Sequence, residues 1–177
     1  MLIDEFLPEC DFEEIHTTRI NASAADVFRA VHEVDYSESA IIRWLFRLRG
    51  LPSANMNLDG FRRLKFEVLG ETLNREVVIG LIGRFWTLQG DLKKIDGDSF
   101  KQFDSAGYAK TAFNLAIEED GSTTRLMTET RIKCLDEDSR RSFGFYWMFI
   151  RPFSGLVRTE MLKTIKRKAE LSVPAMG

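Results

Sequence analysis

Two histidines, His16 and His32, and two cysteines, Cys10 and Cys134, are the chain's whole supply of imidazole and thiol. His16 falls in a stretch that reads as a strand, and His32 near the end of a helical stretch. Neither has a cysteine or acid cluster at ligand spacing, so no zinc or iron site is expected, and a structural or solvent-facing role is the simpler reading of each. The cysteines fit no CxxC or metal spacing and demand no disulfide, which suits a reducing cytoplasm. Cys134 closes a strand and reads as a small buried residue. Ser154 lacks a GxSxG elbow. It reads either as a residue bonding back to a helical carbonyl or as a hydroxyl on a cavity wall. Acid–base chemistry falls to Glu129 and Arg131 in "TETR", and to Glu76 and Arg84, which bound an apolar strand. Facing outward, they form an ion-pair ladder. A carboxylate facing an apolar interior would have its pKa raised by desolvation and could serve as an acid or base. A one-residue register shift swaps the two faces, so the sequence leaves both open. "GLIGRF" lacks dinucleotide-motif spacing, and no cofactor is expected.

Elements must hold these groups in place. "EEIHTTRIN" (Glu13–Asn21) reads as a first strand. "SAADVFRAVHEV" follows as a helix, with Ser23 at the N-cap and Asp26 in a capping-box position. "SESAIIRWLFRLRGLP" reads as a second short helix that buries Ile41, Ile42, Leu45, Phe46 and Leu48 and stops at Gly50 and Pro52. Asn57–Phe61 suits one more helical turn. Leu64, Phe66 and Val68 alternate as in a half-buried strand, and Gly70–Asn74 reads as a turn. Glu76–Ile82 is apolar on both faces, so both faces should be covered. Gly80 and Gly83 suit a bulge or a close backbone approach. "DGDSFKQFD" suggests a turn and a short strand. Thr111, Phe113, Leu115 and Ile117 alternate with Lys110, Asn114 and Glu118. Past the Asp-Gly turn signal, Leu126, Thr128, Thr130 and Ile132 alternate with Arg125, Glu129, Arg131 and Lys133.

Asp136 to about Leu171 reads as one long helix, capped by Asp136 or Asp138. At 100° per residue, Phe143, Tyr146, Trp147, Ile150, Phe153, Ser154, Val157, Met161 and Ile165 share one broad face, with Arg151, Arg158 and Leu162 about a quarter turn away. Pro152 should bend this helix, with Gly155 easing the bend. The plan is α+β: a strand, two short helices, a run of antiparallel strands, then a long C-terminal helix.

A composition of 44% hydrophobic and 29% charged residues is that of an ordinary globular chain, and a length of 177 suits a single domain over 1–177. The net charge of −2 gives no global case for nucleic acid. The N-terminal arm, residues 1–12, is acidic, with no basic n-region and no long apolar core, so it does not read as a secretory signal. No run reaches the ~18–20 apolar residues of a spanning helix. A cytoplasmic location is expected. Bases concentrate in 140–170 (Arg140, Arg141, Arg151, Arg158, Lys163, Lys166, Arg167, Lys168). They suit a solvated helix face, or else a patch for anionic head groups.

In this order, "INASAADVFRAV", "REVVIGLIGRFW", "GYAKTAFNLAIEEDGSTTRLMTETRI" and "SRRSFGFYWMFIRPFSGLVRTEMLKTIKRKAE" resemble the START-like, or SRPBCC, superfamily, which includes Bet v 1 allergens and polyketide cyclases. The resemblance spans roughly residues 13–170. It implies a helix-grip fold, a curved antiparallel sheet wrapped around the long C-terminal helix (136–171), with an apolar cavity between them. Members bind lipids or other hydrophobic molecules, catalyse cyclisation or dehydration, or regulate partners.

The expected function is binding of a hydrophobic small molecule or lipid in that cavity. The helical wall would be Phe143, Tyr146, Trp147, Ile150, Ser154, Val157 and Met161. The sheet wall would be Phe113, Leu115, Leu126, Thr128 and Thr130. One alternative is a polyketide cyclase- or dehydratase-like enzyme using a cavity carboxylate, tested at Glu76, Arg84, Glu129 and Arg131. Another is an interaction module. Phe145, Met148 and Phe149 lie off the main apolar face and need a cover. Either the arm (Leu2, Ile3, Phe6, Leu7) lies over them or a second copy does, as a homodimer. The acidic arm could also pair with the basic helix.

Overall fold

The computed structural model describes residues 1–48, 54, 56–87 and 90–172, with backbone alone for Leu45, Phe46, Leu48, Leu58 and Asp59. The five strands are β1 (Phe12–Ile20), β2 (Glu67–Thr72), β3 (Glu76–Gly83), β4 (Ala109–Asp120) and β5 (Thr123–Cys134). They form one antiparallel sheet in the order β1-β5-β4-β3-β2. The Asp-Gly signal turns β4 into β5, with Gly121 at φ +65°. The helices are α1 (Ile3–Phe6), α2 (Ala24–Glu33), α3 (Ala40–Leu48), α4 (Leu58–Arg63), α5 (Gly97–Gln102) and α6 (Glu137–Leu171). The sheet wraps α6, which is the helix-grip arrangement. Ser23 caps α2 by accepting from the Asp26 N–H at 3.2 Å, and Asp136 caps α6 by accepting from the Ser139 N–H at 2.9 Å.

Several elements differ from expectation. The two short helices expected after the first strand are α2 and α3, with an unforeseen 3-10 turn (Tyr36–Glu38) between them, and the further helical turn expected at Asn57–Phe61 is α4. Asn57 caps α4 by accepting from the Gly60 N–H at 2.9 Å. "DGDSFKQFD" holds helix α5 rather than a strand, because Asp96 and Ser99 form a reciprocal capping box. β2 runs on through Gly70 to Thr72, and the turn is shorter, with Asn74 at φ 57°. On α3, Ile42 is buried and Ile41 is 40% exposed. Leu45, Phe46 and Leu48 lie outside the described side chains, as Gly50 and Pro52 lie outside the described residues.

Register assigns the faces. Glu14 pairs with Thr130, Thr130 with Phe113, and Phe113 with Ile79, so these four form one row across the concave face. On that face Ile79, Leu115 and Leu126 pack with Val27 and Val31 of α2 and with Met161, Leu162, Ile165 and Ala169 of α6. The convex face is also covered, as the two-sided apolarity of β3 requires. Ile3, Phe6 and Leu7 of the arm and Phe100 of α5 pack on Leu69, Val78 and Ile82. Each such large side chain contributes up to about 1.5–3 kcal/mol. Gly80 makes this contact possible, since a Cβ there would stand 2.4 Å from Leu69 Cδ1.

The arm is therefore on the opposite face from where it was expected. It does not pair with the basic helix: Asp4 reaches Arg131 at 2.8 Å and Glu9 reaches Lys133 at 3.7 Å. Glu76 accepts from the backbone N–H groups of Leu2 and Ile3, at 2.7 and 3.2 Å, and so anchors the start of α1. Phe145, Met148 and Phe149 stay 66%, 63% and 59% exposed.

Candidate functional site

α6 meets the sheet in two ways. Its C-terminal half carries medium aliphatic side chains that close against α2 and the sheet. Its N-terminal half carries wide rings, and a cleft of about 360 Å³ remains there. Phe143, Tyr146, Trp147, Ile150 and Ser154 line the helix side. Leu81, Thr111, Thr130 and Ile132 line the sheet side, and Leu64, Phe66, Phe85 and Leu92 complete the wall. Two aromatic groups bound it. Phe143 stacks on Trp147 (centroids 5.8 Å apart) and meets Phe12, Phe85 and Trp86 at 5.1–6.3 Å. Phe61, Phe66 and Phe113 pack edge to face at 5.8–6.2 Å.

Arg158 is the charged residue of this lining and lies half-buried in it. Its guanidinium carbon sits 3.7 Å from the centroid of Phe113, and Nη1 lies 3.6 Å from the Met161 sulfur. Burial pulls its pKa down to about 10. The Thr130 hydroxyl, on the sheet side of the cleft, is buried without a hydrogen-bond partner, as is that of Thr128. Tyr36 is fully buried with an unpartnered hydroxyl, and burial pushes its pKa up.

Glu14 and His16 point from β1 under α6, beside the cleft. His16 Nε2 stands 3.2 Å from Glu14 Oε1, close enough for an ion pair but not aligned for a hydrogen bond, and Glu14 Oε2 is buried without a partner. Gly155 permits this approach. A Cβ there would stand 2.7 Å from Glu14 Oε1, so the glycine serves contact with β1. α6 runs on through Pro152 as one helix.

The four residues weighed for acid–base chemistry do not line the cleft. Glu129 and Arg131 project from the convex face of β5. Arg131 donates to Glu129 and, at 2.9 Å, to the Leu7 carbonyl. Burial pushes the Glu129 carboxyl up, against the pull of Arg131. Desolvation thus acts on this carboxylate as foreseen for an inward-facing one, because the arm buries the outer face. Glu76 also accepts from Asn114 Nδ2 at 2.7 Å, and Arg84 lies over the Tyr108 ring at 4.6 Å.

Of the twelve residues expected to form the wall, Thr130, Phe143, Tyr146, Trp147, Ile150 and Ser154 border the cleft. Phe113 borders it indirectly, through Arg158. Leu115, Leu126 and Met161 are packed core, with Val157 against them, and Thr128 faces His16 across the β1–β5 register. Arg158 was missed as a site residue, although the helical wheel put it a quarter turn from the apolar face. The long stem of an arginine reaches across that angle.

His32 bridges α2 and β2, with Nδ1 3.0 Å from the Phe28 carbonyl and Nε2 3.1 Å from Glu71. Burial pushes the Cys134 thiol up to about 12, so it is no nucleophile at neutral pH. Among the described residues no group of three or more His, Cys, Asp or Glu side chains could hold a metal ion. No described helix is long and apolar enough to cross a membrane.

No protein-family model and no curated protein matches the chain. Solved structures to which it is similar include TTHA0849 from Thermus thermophilus (9% identical, covering 91% of this chain and 99% of that one, TM-score 0.37). Another is CalU16 from Micromonospora echinospora (15% identical, 90% and 84% covered, TM-score 0.33). A third is the Zhui aromatase/cyclase from a Streptomyces species (13% identical, 94% and 98% covered, TM-score 0.36). These likenesses are faint, and the fold assignment comes from this chain's own strand order and helix packing.

Proposed function

We propose that this protein binds a hydrophobic small molecule in the cleft between the sheet and the N-terminal half of α6. One observation carries the reading: α6 closes tightly on the sheet below Val157, while above it the wide rings of Phe143, Tyr146 and Trp147 leave about 360 Å³ open. A mostly apolar cleft with a few convergent polar groups is the usual form of a small-molecule site. The test is titration with the neutral fluorophore N-phenyl-1-naphthylamine, alongside Ile150→Trp, which fills the cleft from the helix side. Wild-type protein is expected to take up the probe, and the variant to lose affinity about tenfold or more with its unfolding temperature little changed. No uptake, or equal uptake by both, overturns the proposal.

A second reading is an enzyme of the cyclase or dehydratase kind. The Glu14–His16 pair favours it, since Glu14 stands opposite Thr130 in the register. Mass spectrometry of a recovered ligand separates the readings: a ligand returned unchanged counts for binding alone.

A further inference from the structure

Resting on the cleft-binding reading, we infer that the ligand carries a carboxylate, which pairs with Arg158 and accepts a hydrogen bond from Thr130.

The case begins with a cation that has no carboxylate in ion-pair contact among the described residues. Several other bases along α6 have acids: Arg140 has Glu137, Lys163 has Glu160, and Arg167 has Glu38. Arg158 has an aromatic face at 3.7 Å and a thioether at 3.6 Å. Among the described residues no carboxylate comes within 4.0 Å of it. A guanidinium presents five N–H donors and no acceptor, and a half-buried charge without an ion-pair partner is costly. The fold keeps the side chain in the cleft lining nonetheless.

The second observation is independent of the charge. Thr130 is only 4% exposed and lines the same cleft, yet its hydroxyl has no partner. A buried hydroxyl is ordinarily satisfied. A guanidinium from α6 and an unpartnered hydroxyl from β5 bordering one cleft call for an acceptor, and a carboxylate accepts from both. The rest of the lining is mainly apolar and aromatic, with Thr87, Thr111 and Ser154 among it, so the body of the ligand is mainly apolar.

Charge balance selects a monoanion. Glu14 and Tyr36 are the ionisable groups whose charges bear on Arg158. Glu14 is not in ion-pair contact with it, which leaves one positive charge to pair. One added negative charge suits the pocket. A phosphate monoester, at −1.5 to −2, does not.

The experiment is displacement of N-phenyl-1-naphthylamine from full-length protein at pH 7.5 by matched pairs, dodecanoate against dodecanol and 2-naphthoate against 2-naphthol, with dodecyl phosphate as a further arm. Wild type is expected to prefer at least one acid over its neutral partner by about tenfold or more. Arg158→Met is expected to erase that preference, read as the ratio of acid to neutral-partner affinity within the variant itself. Thr130→Val, which leaves Arg158 in place, is expected to reduce it by about threefold or more. A wild type that takes up the probe but binds acids and alcohols alike overturns the carboxylate assignment and leaves the cleft reading standing. So does a preference that survives in Arg158→Met, where the guanidinium would serve only its stack on Phe113. Tighter binding of dodecyl phosphate than of dodecanoate overturns the monoanion. Failure to take up the neutral probe at all overturns both readings.

Discussion

Arg131→Met separates a structural ion pair from a ligand-binding one. Arg131 and Glu129 are 9% and 2% exposed and joined by a charge-assisted hydrogen bond, and Arg131 also donates to the Leu7 carbonyl at 2.9 Å. Removing one member of a buried pair costs about 3–5 kcal/mol, because the other charge is left uncompensated. The contact with Asp4, which is 49% exposed, adds little. At about 2–4 °C per kcal/mol for a chain of this size, Arg131→Met is expected to melt roughly 6–20 °C lower at pH 7. The loss depends on pH. The folded-state pKa of Glu129 lies above its unfolded value, so the folded protein keeps this proton after the unfolded chain releases its own. The stability tied to this group is greatest below the unfolded pKa, about 4.3, and falls as pH rises from there toward the folded pKa. Without Arg131 the folded pKa climbs further, so the variant should lose more at pH 7 than at pH 4. Adding Glu129→Gln should return about 1 kcal/mol or more, as a coupled pair requires. Thermal and urea unfolding at both pH values measure this, with probe titration beside them. Unchanged melting with weakened probe binding would refute the reasoning and place Arg131 in the site.

Gly155→Ala gains about 1 kcal/mol of helix propensity but forces a methyl to 2.7 Å from Glu14 Oε1, an overpacking that costs about 1–3 kcal/mol. Net destabilisation in urea is expected, relieved by Glu14→Ala, whereas a stabilised variant would show that β1 yields freely. Asp136 is held near 2 by the Ser139 hydroxyl and by the Gly107 and Ser139 N–H groups. Its stabilisation is therefore present above the unfolded pKa and lost as pH falls from about 4 to about 2. Asp136→Asn keeps a cap and should flatten that part of an acid-unfolding curve followed by circular dichroism, whereas a curve like the wild type's would count against this account.

The long C-terminal helix, the central strands and their alternation were legible because each depends on local periodicity. Phe113 against Asn114 and Thr130 against Glu129 sort to opposite faces on a period of two, and Asp136 and Ser23 announce their helices by chemistry within four residues. Helix α5 was misread because a six-residue element carries too little periodicity to outvote its turn-like composition. Which face lines the cleft depended on what covers the other one. Ile3 and Phe6 pack on the convex side, and only that contact makes Glu76, Glu129 and Arg131 a buried outer network rather than cavity acids. The site's polar centre was equally hidden, because Arg158, Thr130 and Glu14 come from α6, β5 and β1. Local sequence thus determined the elements and their apolar faces. Tertiary packing decided that α6 closes at Met161 and stays open at Ile150, and that one arginine lines the opening with no described carboxylate in contact. Side-chain volume and counter-ion pairing are settled between elements distant in the chain, where no local pattern reaches.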